Sequence, residues 1–344
     1  MSDETYTEAD GHEALAFEDT LNAVTLKSII TPILIAINLA VFALMVFTGV
    51  SFFDPSLQSL VQWGSDFGPL TTNGEWWRLL TAAFVHIGFL HVLINMYILW
   101  SVGMLTERLF GHVAFVTLYL VAGIGGNLVS LYWQPLTVAA GASGAVFGLY
   151  GGLFAFLLRQ HNAVPQRTLN GLVKNGILFL AYNVVYGITQ SHVDMAAHLG
   201  GLVTGFLAGA VLALPLVPSI DMARIRRSLI ISVIGGGAAA ACLVSFPVSD
   251  PSQAAWYRGV FMWPSVTIGS RDRVVYSGAS RKDAEALGQS LKRAGFFQDL
   301  GVEVAFSKHS RETTVSIPLK DGFWEDPVNI AEGGYPLDSG SPNM

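Results

Sequence analysis

Seven apolar stretches, each near the length a helix needs to cross a lipid bilayer, constrain this chain more than any other feature of its sequence. They run approximately over residues 28–50, 87–105, 113–131, 138–158, 172–188, 195–217 and 229–246. A hydrocarbon core of roughly 30 Å takes about 20 helical residues to span. The fifth stretch is the shortest and is interrupted by Asn183. Composition agrees with a lipid solvent: 52% of the residues are hydrophobic, 13% are charged, and mean hydropathy is +0.49. A soluble domain carries about 25% charged residues. The expected fold class is an all-α polytopic membrane protein followed by a small soluble α+β domain.

Orientation follows from the basic residues, because cytoplasmic loops retain Lys and Arg during insertion. Lys27, Arg108, Arg159, Arg167, Lys174, Arg224, Arg226 and Arg227 lie in the N-terminal segment or in loops after the second, fourth and sixth stretches, whereas Arg78 alone is basic in the short loops opposite. The N-terminus is expected in the cytoplasm and the C-terminus outside. Residues 1–27 carry seven acids against Lys27 and read as a flexible acidic segment with no cleavable address, since transit peptides are Arg-rich and acid-poor. An inner, or plasma, bacterial membrane is the expected location on that ground. Cys242 is the only cysteine, so neither a disulfide framework nor a cysteine-based metal site is available. No metal, cofactor or nucleic-acid partner is expected.

Four regions follow: residues 1–27, a membrane domain over 28–246 with its last helix at about 229–246, an external domain over 248–331, and a Gly-, Pro- and Ser-rich disordered tail over 332–344. In the external domain, residues 273–276 read as a strand, and Ser280 with Asp283 has capping-box spacing. Ala284, Leu287, Leu291 and Ala294 recur at helical intervals up to Gly295. Residues 302–306 and 313–319 alternate as strands do. The order predicted is β-α-β-β.

Two polar residues open the fourth and sixth stretches. Ser143 sits in Gly141-Ala142-Ser143-Gly144, followed by Gly148, Gly151 and Gly152; His198 precedes Gly201, Gly205 and Gly209, which recur every four residues. Small residues at that interval let membrane helices approach until their backbones nearly touch. Ser143 lies 16 residues before Arg159 and His198 lies 17 before Pro215. At about 1.5 Å per residue both stand roughly 24–26 Å from the inner helix ends. Two parallel, close-packed helices therefore bring the pair together in the outer half of the membrane. A serine becomes an effective nucleophile when an imidazole can take its proton. Singly, each residue reads equally as packing or interhelical bonding. His91 and Asn95, four apart on one face of the second stretch, are candidate oxyanion donors beside the Ser143 amide, or else an interhelical clamp.

Glu75-Trp76-Trp77-Arg78, the series His86, His91 and Asn95, the pair Glu107-Arg108, the Gly141-to-Gly144 run, and His198 with Gly201 and Gly205 together resemble the rhomboid protease family over roughly residues 28–215. The resemblance implies a six-helix core with a water-filled cavity open to the outside, and a Ser143–His198 dyad without a third acid. It implies oxyanion donors in His91, Asn95 and the Ser143 amide. Gly141, Ala142, Gly144, Phe147, Gly201 and Gly205 would shape the site. Trp77 and Arg78 would belong to a partly membrane-embedded external loop, and Glu107 would be structural. Family members commonly carry tyrosine where this chain has Phe147, which can stack on His198 but offers no hydroxyl. The seventh stretch resembles the form of the family with one helix appended to the core. The expected function is intramembrane serine endopeptidase, cutting transmembrane-helix substrates near the outer face. The alternative is a catalytically inactive rhomboid-like protein that binds transmembrane helices. A transporter would show symmetric halves with broken helices, which are not seen. A zinc protease lacks its His-Glu-x-x-His motif.

Overall fold

The computed structural model describes residues 8–189, 193–217, 221–246, 251–300, 302–309 and 312–316. The chain divides into two compact units, Met1–Tyr257 and Arg258–Met344.

The first unit is helical. Its long helices are α1 (Glu8–Val24) and α2 (Ile30–Phe47), then, beyond three short helices, α3 (Leu57–Gln62), α4 (Gly68–Thr71) and α5 (Arg78–Thr81), the series α6 (Phe89–Phe110), α7 (His112–Trp133), α8 (Ser143–Arg159), α9 (Gln166–Thr189), α10 (Met195–Leu212) and α11 (Asp221–Ser245). A last helix, α12 (Pro251–Met262), leads towards the second unit. Five of these, α2, α6, α7, α10 and α11, are long and apolar enough to cross a membrane, and α8 is apolar but only 17 residues long. α9 is longer, but Arg167, Lys174 and several asparagines dilute its apolar character. α8 is the innermost of them, with Ala145, Leu149 and Phe156 almost fully buried in one cluster with Leu99, Phe115 and Leu118.

The N-terminal segment expected to be flexible is instead helical over α1. Phe17 and Leu21, four residues apart on one face, are buried. The Arg108 guanidinium donates to Glu18 at 2.8 Å and to Asn22 at 3.0 Å. Acidic composition concealed this apolar face. Two helices also begin earlier than the apolar stretches suggest, because polar first turns at Gln166 and Asp221 form helix outside the apolar zone. The fourth begins later, at Ser143, for a reason given below.

In the second unit the strands β1 (Ser265–Ile268), β2 (Asp272–Ser277), β3 (Glu303–His309) and β4 (Glu312–Ser316) form one sheet in sequential order. β1/β2 and β3/β4 pair antiparallel, and β2/β3 pair parallel with Val274 opposite Val304. The helix α13 (Arg281–Arg293) makes the crossover that a parallel pair requires. Ser280 and Asp283 cap it reciprocally, and Ala284 packs with Ile268, Val274 and Val304. The observed order is thus β-β-α-β-β; β1, only four residues long, was absent from the sequence-based order. Residues 317–319, the end of the last expected strand, and the 332–344 tail lie outside the described residues.

Candidate active site

α8 starts at Ser143 because the chain before it is held extended. Asp66 and Ala139 exchange backbone hydrogen bonds of 2.9 Å each, and the Gly141 N–H donates to the Ala82 carbonyl at 2.9 Å. Gly141 then adopts a φ of +122°, open to glycine but not to other L-residues, and the chain turns into the helix at once. Ser143 is the first helical residue, so its N–H has no intrahelical acceptor.

α10 starts at Met195, three residues before His198. The Asp194 carboxylate accepts from the Ala197 N–H at 2.9 Å and from the Ser130 hydroxyl of α7 at 2.5 Å, capping α10 and tying it to α7. Asp before an apolar run is a recognisable helix-start signal. It was present in the sequence but not read there.

Glycines then draw α8 and α10 together. A methyl built on Gly201 would run into the Gly144 carbonyl, one on Gly205 into that of Gly148, and one on Gly209 would lie 2.5 Å from the Gly152 Cα. α7 joins the contact, since a Cβ on Gly126 would stand 2.7 Å from the Ala197 carbonyl oxygen. Dispersion and weak backbone contacts, rather than the hydrophobic effect, hold such helices in lipid.

The two helix starts meet. His198 Nε2 lies 2.9 Å from Ser143 Oγ, with the imidazole buried and the serine half-buried. The Phe147 ring stacks on the imidazole at 4.2 Å between centroids and 13° between planes, and packs in turn on Phe179 of α9. His198 Nδ1 is buried without a hydrogen-bond partner among the described residues. For the hydroxyl to donate to Nε2, the ring proton must sit on that orphaned nitrogen.

His91 lies beside the turn that precedes Ser143: a Cβ on Gly141 would come within 2.6 Å of its ring. Its Nδ1 accepts from the Ile87 N–H at 3.2 Å, and the His86 ring stands edge-on at 5.3 Å. His86, given no role from sequence, accepts from the Ala142 N–H through Nε2 at 3.5 Å. Asn95 is buried, and its amide donates along its own helix to the His91 carbonyl at 2.9 Å.

Trp77, Arg78 and Glu107 stand apart from this pair. Arg78, fully buried, donates to Val61 and Ser65 carbonyls at 2.7 and 2.9 Å and pairs with Glu75 at 2.7 Å, closing the segment between α2 and α6 on itself; its guanidinium lies 4.7 Å from the Trp77 ring centroid. Asn127 of α7 donates to the Leu79 carbonyl at 2.8 Å and pins that segment to the bundle. Glu107 accepts from the N–H groups of Ile29, Ile30 and Thr31, each at 2.8 Å, so it caps α2. Burial of Asp66, in the same segment between α2 and α6, pushes its carboxyl up to about 7, although the Thr71 hydroxyl and Arg78 pull it down. Among the described residues no group of His, Cys, Asp and Glu side chains converges as metal ligands would; His192 lies outside them.

The family model of the Rhomboid domain matches residues 73–215, which enclose every side chain just described at the helix starts. The putative rhomboid protease YdcA of Bacillus subtilis is 36% identical over 162 residues, covering 45% of this chain and 78% of the relative. The chain belongs to the rhomboid family. The rhomboid protease GluP of Bacillus subtilis is 35% identical over 210 residues, 61% of this chain and 40% of its own length. RHOMBOID-like protein 4 of Arabidopsis thaliana is 36% identical over 149 residues, 43% of this chain and 37% of its own. The chain thus spans about 40% of these two relatives. Family and apolar helices together make this rhomboid a multi-pass membrane protein.

Proposed function

We propose that this rhomboid is an intramembrane serine endopeptidase in which Ser143 is the nucleophile and His198 its base. The carrying observation is the 2.9 Å contact between Oγ and Nε2 at the first turns of two parallel helices. In this reading Nε2 takes the hydroxyl proton while Oγ attacks a peptide carbonyl carbon. The oxyanion is met by the orphan N–H of Ser143, the His91 ring and the Asn95 amide, which has a second N–H beyond the one given to His91. Collapse breaks the C–N bond, the amine leaves with the proton from His198, and water repeats the sequence on the acyl-enzyme. Phe147 keeps the imidazole plane fixed without offering a hydrogen bond.

The substrate class is a transmembrane helix. A helical peptide bond is shielded by its own hydrogen bonds, so the cut segment has to unwind, which favours Gly and other small residues near the interface. The distribution of basic residues supports an outward-facing site, a cytoplasmic N-terminus, seven spans and an external second unit, in an inner or plasma membrane. A fluorophosphonate probe is expected to label Ser143 in purified protein. Ser143→Ala and His198→Ala should each abolish cleavage of a helix-spanning reporter with the melting temperature retained. Cutting by either variant would eliminate the dyad, and a folded protein that neither labels nor cuts would instead be a helix-binding rhomboid.

A further inference from the structure

A second feature lies at the opposite ends of the same helices. Between the C-terminal ends of α8 and α10 and the first turns of α11 is a cleft of about 620 Å³, lined by Arg159, Ala210, Val211, Arg226, Arg227 and Ile230. Three helices each contribute to it, and half its lining side chains are guanidinium groups. No acid lines it. We propose that this cleft binds the phosphate headgroup of an anionic membrane lipid.

Several observations point the same way. Arg227 is anchored at the cleft edge, donating to the Val211 carbonyl at 2.8 Å and the Ala213 carbonyl at 3.4 Å. Arg159 and Arg226 meet no acidic side chain among the described residues. Asp221, the one acid at this end of α11, faces Arg224 at 3.5 Å, and Arg224 turns inward and is buried. Three like charges around one cleft repel unless an anion sits between them. The loop bias that orients membrane proteins accounts for arginines on this side. It does not account for their convergence on one cleft.

Depth and lining favour a lipid over a free anion. Arg159 closes α8, 16 residues beyond Ser143, which is roughly 24 Å along the axis and so at headgroup level on the far face. Val211 and Ile230 expose 43% and 46% of their surface at the mouth, an apolar edge suited to acyl chains. The guanidinium fork matches phosphate oxygens in pairs, and basic pockets between membrane helices are known headgroup sites. The inference goes beyond the proteolytic reading and does not depend on it.

The test uses the full chain in detergent, titrated with short-chain phosphatidylglycerol and, separately, phosphatidylcholine, with bound lipid counted by native mass spectrometry. Phosphatidylglycerol is expected to bind more tightly, and Arg159→Gln with Arg226→Gln to weaken it about 30-fold, about 1 kcal/mol for each charge removed. Neither arginine has a partner among the described residues, so the double variant should melt as wild type does in phosphatidylcholine. Arg159→Lys with Arg226→Lys should keep most of the affinity. Equal binding of the two lipids, or an unchanged affinity in the glutamine variant, would overturn the proposal. Displacement by inorganic phosphate at a concentration comparable to the lipid would overturn it in favour of a free anion.

Discussion

Gly201→Ala tests whether backbone contact between α8 and α10 is what sets the Ser143–His198 distance. The new methyl would lie 2.8 Å from the Gly144 carbonyl carbon and 3.1 Å from its Cα, and closer still to the oxygen, where ordinary contact begins near 3.4 Å. The neighbour is backbone, so no rotamer can relieve the clash. The helices have to part by at least about 0.6 Å, which stretches the 2.9 Å contact to about 3.5 Å, beyond the range of a good hydrogen bond. Overpacking of this kind costs about 1–3 kcal/mol, and a 1 Å misplacement of reacting groups can cost about 100-fold. Turnover of a helix-spanning reporter in detergent should therefore fall about 10- to 100-fold, with a smaller loss of melting temperature and slower labelling of Ser143 by a fluorophosphonate. Gly236→Ala is the control, since nothing lies within 4 Å of its added methyl. Wild-type turnover in Gly201→Ala would refute the claim that glycine contacts position the pair.

Three further perturbations separate the supports of the site. Asp66, raised to about 7 mainly by burial, holds its proton in the folded chain at pH values where the unfolded chain has released it. Its contribution to stability is thus lost as pH rises from about 4 towards 7, and melting temperature should fall over that interval in wild type but less in Asp66→Asn. Asp194→Ala removes the α10 cap and the Ser130 tie and should cost about 1 kcal/mol with reduced turnover, while Asp194→Asn, which keeps an acceptor, restores most of both. Arg78→Ala leaves the Val61 and Ser65 carbonyls without their donor and should lower stability by about 2–4 kcal/mol in thermal unfolding; an unchanged melting curve would show that the loop does not depend on it.

Legibility varied with the range of the cause. Gly201, Gly205 and Gly209 at intervals of four announced a helix contact because the pattern and its consequence lie on one helix face. α1 was hidden because seven acids near the N-terminus outweigh the two residues, Phe17 and Leu21, that give it a buried side. β1 was missed because four residues carry too little alternation to stand out before a partner strand is known. The roles of His86 and Asp194 depend on groups 56 and 64 residues away, which no local pattern encodes.

By itself the sequence determined the solvent of this protein, the approximate helices and the two polar residues in the first turns of α8 and α10, because apolar length, glycine spacing and helical rise are local quantities. Tertiary structure alone decided the rest: the extended residues 139–141, held by Asp66 and Ala82, that start α8 at Ser143, the tie from Asp194 to α7, the stacking of Phe147 on His198 and the 2.9 Å contact itself. A distance between side chains on separate helices depends on how several backbones pack at once. In lipid that packing is set by small-residue contacts and buried hydrogen bonds whose partners are far apart in the chain.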